Sequence, residues 1–454
     1  MGATVPIPTF YDFNTRKYSL SQQTIEMPKL SWFLDQIDIT TNNIRTINFN
    51  IDIKHINQFI NTQKRDNAYV NSDLIKEAVR LLPELNFIST GKAGYYSGHC
   101  IVLPLKKEGK KIALIGHLAN DNNSPLGSWR LASDDHSAVT ILEGMKTYTG
   151  NTLTYEKGVE LYTGNPTFVT EVKVNTKNKK GITEAVEVAK NADVVVMVLG
   201  EHGFQSGEGR TRTNLDLPGL QQELLETVYK VNPNIVLVLQ AGRPLTINWA
   251  KEHIPAIVMG WQLGTQTGNA IAQVLYGDYN PSGKLPMTFP RNVGQIPIYY
   301  NYKNTGRASN RENNVFWSHY SDVANTPLYP FGYGLSYTSF EYKNLRLNKS
   351  EFTKDETVKV SIELTNTGSL DGKEVVQLYI RDKFASVVRP VRELKGFELV
   401  ALKKGETKTI TFELTKDQLG FYNNKGEFLV EEGEFEVFVG GNSRTNLKAS
   451  FLLR

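Results

Sequence analysis

The sequence predicts a multidomain protein of the α/β plus all-β class. An α/β/α sandwich with a mostly parallel sheet comes first, an immunoglobulin-like β-sandwich follows, and an N-terminal region of unassigned fold precedes both. Three observations carry this reading. Short, unbroken β-branched runs alternate with helical segments between about 103 and 310, the pattern of strands buried on both faces. From about 341 onward the apolar residues recur at every second position, the period of a half-buried strand. The length of 454 residues is more than one ordinary domain holds.

In chain order, residues 1–102 are the least readable. Polar and apolar residues alternate over 42–53, which predicts a strand. Residues 73–82 read as a short amphipathic helix stopped by Pro83. The α/β domain, 103–310, opens with a buried strand over 110–116. A polar turn, Asp134-Asp135-His136, precedes a helix over 137–145 and reads as its capping segment, with a metal or acid/base cluster as the less simple reading. A connecting segment rich in Tyr, Thr, Asn and Gly follows. Residues 182, 185, 186 and 189 place one apolar face on a second helix. Buried strands are predicted over 193–199, 234–239 and 256–260, and a further helix over 268–275. Strands alternating with helices build a parallel sheet covered on both sides.

Residues 311–340 form a linker that ends in Tyr329-Pro330-Phe331-Gly332-Tyr333-Gly334-Leu335-Ser336-Tyr337. Its alternating rings and glycines suit a segment that lays aromatics on a neighbouring domain while its backbone passes close by. In 341–454, Val358, Val360, Ile362 and Leu364 share one strand face, and further strands read over 375–380, 408–414 and 435–439. Gly372, Gly405, Gly426 and Gly433 mark turns. About seven short strands in this length argue for the sandwich.

Charge excludes some functions. The chain has 51 basic and 47 acidic residues, for a net charge of +4, without a long basic block. Nothing points to nucleic acid or to a membrane surface. A single cysteine, Cys100, excludes an intrachain disulfide and leaves the compartment open. No run is long enough to span a bilayer, and the first residues show no basic stretch followed by an apolar one, so no signal peptide is expected.

The chemistry concentrates in residues 201–212, between the strand at 193–199 and a helix over 220–228 for which Pro218 is a suitable start. A loop at the carboxyl end of a buried strand is where open α/β sheets bind ligands. It carries Glu201, Glu208, Arg210 and Arg212, with Gly207 and Gly209 flanking Glu208. His202 reads as a solvated loop histidine.

Ser206-Gly207-Glu208, with Thr211-Arg212-Thr213-Asn214-Leu215-Asp216-Leu217-Pro218-Gly219, resembles the acid/base loop of glycoside hydrolase family 3, the β-glucosidase family. Residues 275–290, the segment 329–337, Gln240-Ala241-Gly242-Arg243-Pro244 and residues 389–397 fit the same family in the same order. The resemblance covers about 103–454. It implies an α/β sandwich followed by a fibronectin type III-like domain, a carbohydrate substrate with terminal β-linked glucose or xylose, and no cofactor or metal. It implies Glu208 as general acid/base, with Glu201, Arg210 and Arg212 as substrate-binding residues. The two arginines either orient Glu208, touch sugar or form a structural ion pair.

The family's barrel, which bears the aspartate nucleophile, needs about 250 residues; only about a hundred precede the α/β domain here. Ser72-Asp73 and Lys54-His55 look like the barrel's nucleophile and substrate pairs but stand in the wrong context, and the nucleophile is unassigned. The chain alone is therefore expected to be inactive, or to be half of a split enzyme completed by a barrel partner or a homo-oligomer. The alternative is a non-catalytic carbohydrate- or protein-binding module. A nucleotide-binding loop fits worst, since the glycine spacing matches no phosphate-binding pattern.

Overall fold

The computed structural model describes residues 102–130, 134–307 and 314–454, and the backbone of four short strands nearer the N-terminus. Three of these, β1 (Phe10–Asp12), β2 (Lys17–Leu20) and β3 (Gln23–Glu26), form an antiparallel meander in a unit of their own. The elements expected over 42–53 and 73–82, with Lys54-His55 and Ser72-Asp73, lie outside the described residues.

The second unit holds the α/β domain and the β-sandwich. The central sheet has six strands in the order β4-β9-β8-β7-β5-β6. These are β4 (Asn86–Ser89), β5 (Glu108–Ile115), β6 (Gly150–Glu156), β7 (Val194–Gly200), β8 (Ile235–Gln240) and β9 (Ala256–Met259). All pairings are parallel except that of β4 with β9. Alternation along each strand feeds two cores. Met197, Leu199, Leu237 and Leu239 face α2 (Ile182–Lys190), α3 (Gln221–Tyr229) and α4 (Asn248–His253). Val196, Val198, Val236 and Val238 face α1 (Ile141–Lys146) and α5 (Thr267–Leu275). Each such fully buried side chain contributes about 1.5–3 kcal/mol.

Two local expectations are corrected. The connecting segment after α1 contains strand β6, whose half-exposed residues suit a sheet edge. The helix expected from residue 137 starts at Ile141, because Thr140 forms a capping box with Glu143. The polar turn before it does other work: Asp135 pairs with Arg130 at 2.8 Å.

The sandwich packs β10 (Phe340–Leu347), β12 (Val358–Asn366) and β15 (Thr407–Leu414) against a five-stranded sheet. That sheet runs β11 (Glu351–Phe352), β17 (Lys448–Leu453), β16 (Gly433–Gly440), β13 (Gly372–Asp382) and β14 (Glu393–Leu402). Val358, Val360, Ile362 and Leu364 are fully buried between the sheets. Gly372 and Gly433 open strands rather than turns, whereas Gly405 and Gly426 take positive φ in tight turns.

The aromatic–glycine segment joins the two domains as its composition suggests. Tyr329 is buried against Phe289, and Phe331 stacks on Tyr300 at 4.3 Å. A Cβ on Gly332, whose φ is +79°, would lie 2.0 Å from Gln377 Oε1, so only glycine admits this approach. A buried ion pair completes the junction: Lys284 Nζ lies 2.9 Å from Glu374, which also accepts from Tyr342. Among the described residues no helix is long and apolar enough to cross a membrane.

Candidate active site

Strand β7 ends at Gly200 on the carboxyl side of the sheet. Its neighbours there are β5, where the chain first reverses its direction of travel across the sheet, and β8. Crevices form at such switch points. The Gln221 side chain, on the first turn of α3, accepts from Gly200 N at 2.9 Å and donates to Gly200 O at 2.8 Å. Helix α3 thus clamps the strand end, and residues 201–219 become a closed excursion.

Glu201 sits at the root of this excursion with its side chain fully buried. Arg212 donates to Glu201 Oε1 at 2.6 Å, Arg243 Nε approaches both carboxylate oxygens at 3.1 and 3.2 Å, and the Ser206 hydroxyl donates to Oε2 at 2.5 Å. A buried carboxylate needs this number of partners to offset its lost hydration. Ser206 Oγ in turn accepts from Gly242 N at 3.1 Å. Arg243 also donates to the carbonyls of Gln205 and Arg210. The loop is therefore closed on itself through one guanidinium.

Arg210 takes a different direction. It donates to the carbonyls of Phe204 and Phe168 and lies over the Phe168 ring, 5.2 Å from its centroid. Of the residues singled out from sequence, Glu201 and Arg212 are brought into contact, Arg210 is bound to the backbone of Phe204 and of Phe168 outside the loop, and Glu208 stands apart. Glu208 is exposed, and no hydrogen bond or ion pair engages its carboxylate among the described residues. Gly207, at φ +140°, packs so closely on Ser128 that a Cβ there would lie 2.2 Å from the serine oxygen. The neighbouring Trp129 is 68% exposed, which places a flat apolar ring on the segment against which the loop rests.

His202 is not solvated, as expected from sequence, but 4% exposed. It caps the short turn Gly203–Gln205: its Nδ1 accepts from Phe204 N at 3.1 Å, while Gln205 Oε1 accepts from His202 N. Burial pushes its pKa down to about 4; the nearby Asp121 carboxylate opposes this, and His117, Arg130 and Arg210 add to it. The Tyr162 ring lies edge-on between His202 and His117, about 5 Å from each. Burial also lowers His117, against the pull of Asp121 and Glu160.

Arg243 was missed as a site residue. Its signal was available, because Gln240-Ala241-Gly242-Arg243-Pro244 leaves the carboxyl end of β8, the strand beside β7. Trp129 and Ser128 had no signal of their own, being far from the loop in sequence.

The model of the glycosyl hydrolase family 3 C-terminal domain matches residues 101–337, and that of a fibronectin type III-like domain matches 374–443. A periplasmic β-glucosidase of Salmonella typhimurium is 44% identical over 361 residues, which are 77% of this chain and 47% of the relative. A β-xylosidase of Formosa agariphila is 39% identical over 74% of this chain and 45% of its own length. The crystal structure of a β-glucosidase from Listeria innocua in complex with isofagomine superimposes with a TM-score of 0.72 at 35% identity. That match covers 81% of this chain and 48% of the other. The chain thus spans about half the length of the curated relatives it matches.

Proposed function

The chain belongs to glycosyl hydrolase family 3, and from that premise we propose that it supplies the acid/base half of a retaining β-glycosidase site acting on terminal β-linked glucose or xylose. One observation carries the reading. Glu208 stands exposed, with no partner among the described residues, at the tip of a loop whose root is pinned by Glu201, Arg212 and Arg243. A general acid must reach the glycosidic oxygen without competing partners, on a backbone held in place. The choice of sugar is supported by the names of the relatives, β-glucosidases and β-xylosidases.

In this mechanism Glu208 gives its proton to the leaving oxygen while a second carboxylate attacks the anomeric carbon. The Glu208 carboxylate then takes a proton from the water that displaces the enzyme carboxylate. Retention requires the two carboxyl groups to lie about 5–5.5 Å apart. The attacking aspartate accordingly belongs to a barrel domain or partner facing the 201–212 loop. We assign Glu201 and Arg212 to positioning the loop, supported by their buried pairing; direct sugar contact by Arg210 or Arg212 would require giving up these bonds. Trp129 is assigned as a stacking surface for the sugar, supported by its exposure.

The test is hydrolysis of aryl β-glucoside and β-xyloside by the purified chain, alone and mixed with a separately produced family 3 barrel domain. Turnover is expected only in the mixture, and Glu208→Gln should lower it by at least about a hundredfold. Turnover that Glu208→Gln leaves unchanged would overturn the assignment.

A further inference from the structure

A cleft of about 1120 Å³, with none of residues 201–212 among its described lining, opens between residues 295–304 and 318–331 and the five-stranded sheet of the β-sandwich. It is part of the fold rather than a surface dent. Val391 N donates to Tyr302 O at 2.9 Å, Ser443 N donates to Phe331 O at 3.0 Å, and Lys303 pairs with Pro390 as an antiparallel bridge. Small-molecule sites run roughly 300–1,000 Å³, so the cleft has room for more than one sugar ring.

Its charge is unbalanced. Four cations line it, Arg381, Arg392, Arg444 and Lys448, and Glu436 is the one carboxylate among its described lining residues. Lys448 and Arg381 share Glu436, at 2.7 and 3.6 Å. The other two cations have no acidic partner among the described residues. Arg392 donates to a backbone carbonyl, that of Ser443, and lies over the Phe438 ring, 4.0 Å from its centroid. The Arg444 guanidinium has no side-chain partner among the described residues. Burial lowers the Arg392 pKa, the neighbouring charge of Arg444 lowers it further, and the influences of Tyr379 and Glu436 only partly oppose this. Two guanidinium groups lining one cleft, each lacking a paired carboxylate among the described residues, repel each other, and an anion bound between them removes that cost.

The remaining wall is aromatic. Tyr299, Tyr302 and Tyr320 line the cleft with 64%, 50% and 44% of their surface exposed. Exposed tyrosines present a flat apolar face and a hydroxyl together, which matches the C–H face and hydroxyl rim of a sugar ring. We propose that this cleft binds an anionic oligosaccharide, with a carboxylate or sulfate held between Arg392 and Arg444 and its sugar rings laid on Tyr299 and Tyr302. Nucleic acid suits it less, because the net charge is only +4 and phosphate binding draws on a longer basic track. None of these residues belongs to the Glu208 loop, so the two sites stand or fall separately.

The experiment is calorimetric titration of the full chain with four probes at low salt: trigalacturonate, a sulfated galactose trisaccharide, neutral cellotriose and a short single-stranded oligonucleotide. One acidic trisaccharide should bind at least about tenfold more tightly than cellotriose and weaken as salt is added. Whichever binds more tightly identifies the anionic group. Arg444→Gln, at an exposed side chain with no partner among the described residues, should leave the melting temperature unchanged and weaken acidic binding by about tenfold. Tyr299→Ala should weaken it without changing the salt dependence. Equal binding of cellotriose, tighter binding of the oligonucleotide, equal affinity for inorganic sulfate alone, or an Arg444→Gln protein that binds as well as the parent would each overturn the proposal.

Discussion

Glu201 Oε1 lies 2.6 Å from a guanidinium nitrogen of Arg212, and this pair brackets the exposed Glu208, seven residues after Glu201 and four before Arg212. The loop thus separates two tasks that carboxylates of the same kind perform. One is surrounded by donors and holds the backbone; the other, at the tip, has no partner among the described residues.

That separation predicts opposite outcomes for two similar substitutions. Glu201→Gln leaves Arg212 and Arg243 without their anion in a buried setting and should cost about 3–5 kcal/mol. Glu208→Gln should change stability by less than about 0.5 kcal/mol. Urea denaturation of the full chain followed by fluorescence reads both. A Glu208→Gln protein as destabilised as Glu201→Gln would show that the tip is structural.

The glycines beside Glu208 differ in the same way. Gly207→Ala places a Cβ 2.2 Å from Ser128 Oγ at φ +140°, whereas Gly209 has φ +69° and open space around its Cβ position. Gly209→Ala should cost about 1 kcal/mol, the ordinary penalty of a left-handed residue, and Gly207→Ala clearly more. Melting temperatures of the two variants compare them directly.

His202 predicts a pH dependence. Its folded pKa is about 4 against about 6.5 in an unfolded chain. The unfolded state therefore binds more protons between these values, and stability rises with pH through this window. The contribution is fully present above about pH 6.5 and is lost as pH falls toward 4. Its size is at most about 3 kcal/mol. The slope of unfolding free energy between pH 4.5 and 6.5 should flatten in His202→Gln, and an unchanged slope would assign the dependence elsewhere.

At the domain junction, burial raises the Glu374 pKa although Lys284 and Tyr342 favour the charged form. Removing the lysine leaves the carboxyl buried and unpaired, so Lys284→Ala should cost about 3 kcal/mol or more. Lys284→Met with Glu374→Leu, which removes both charges and keeps the volume, should recover most of the loss. A double variant as unstable as the single one would show that packing, not charge, holds the junction.

Some of this architecture was legible in advance because it rests on local pattern. Unbroken runs such as 193–199 and 234–239 admit few readings other than doubly buried strands, since only a sheet covered on both faces removes every side chain from water. The period-two register from Val358 to Leu364 assigned one face to the interior for the same reason. Strand β6 escaped notice because an edge strand keeps polar residues, and the start of α1 shifted because a cap depends on a side-chain hydrogen bond that no periodicity records.

The strand–helix alternation, the sandwich and the loop that carries Glu208 are written in the sequence, because they follow from side-chain spacing and from glycine and proline positions. What surrounds them comes from the fold. It brought Arg243 from the end of β8 to Glu201, buried His202 against Tyr162, set Ser128 against Gly207, and left Arg392 and Arg444 facing one cleft with no acidic partner among the described residues. Each of these joins residues distant along the chain, and their pairing is set by which strands lie side by side and by what burial does to charge.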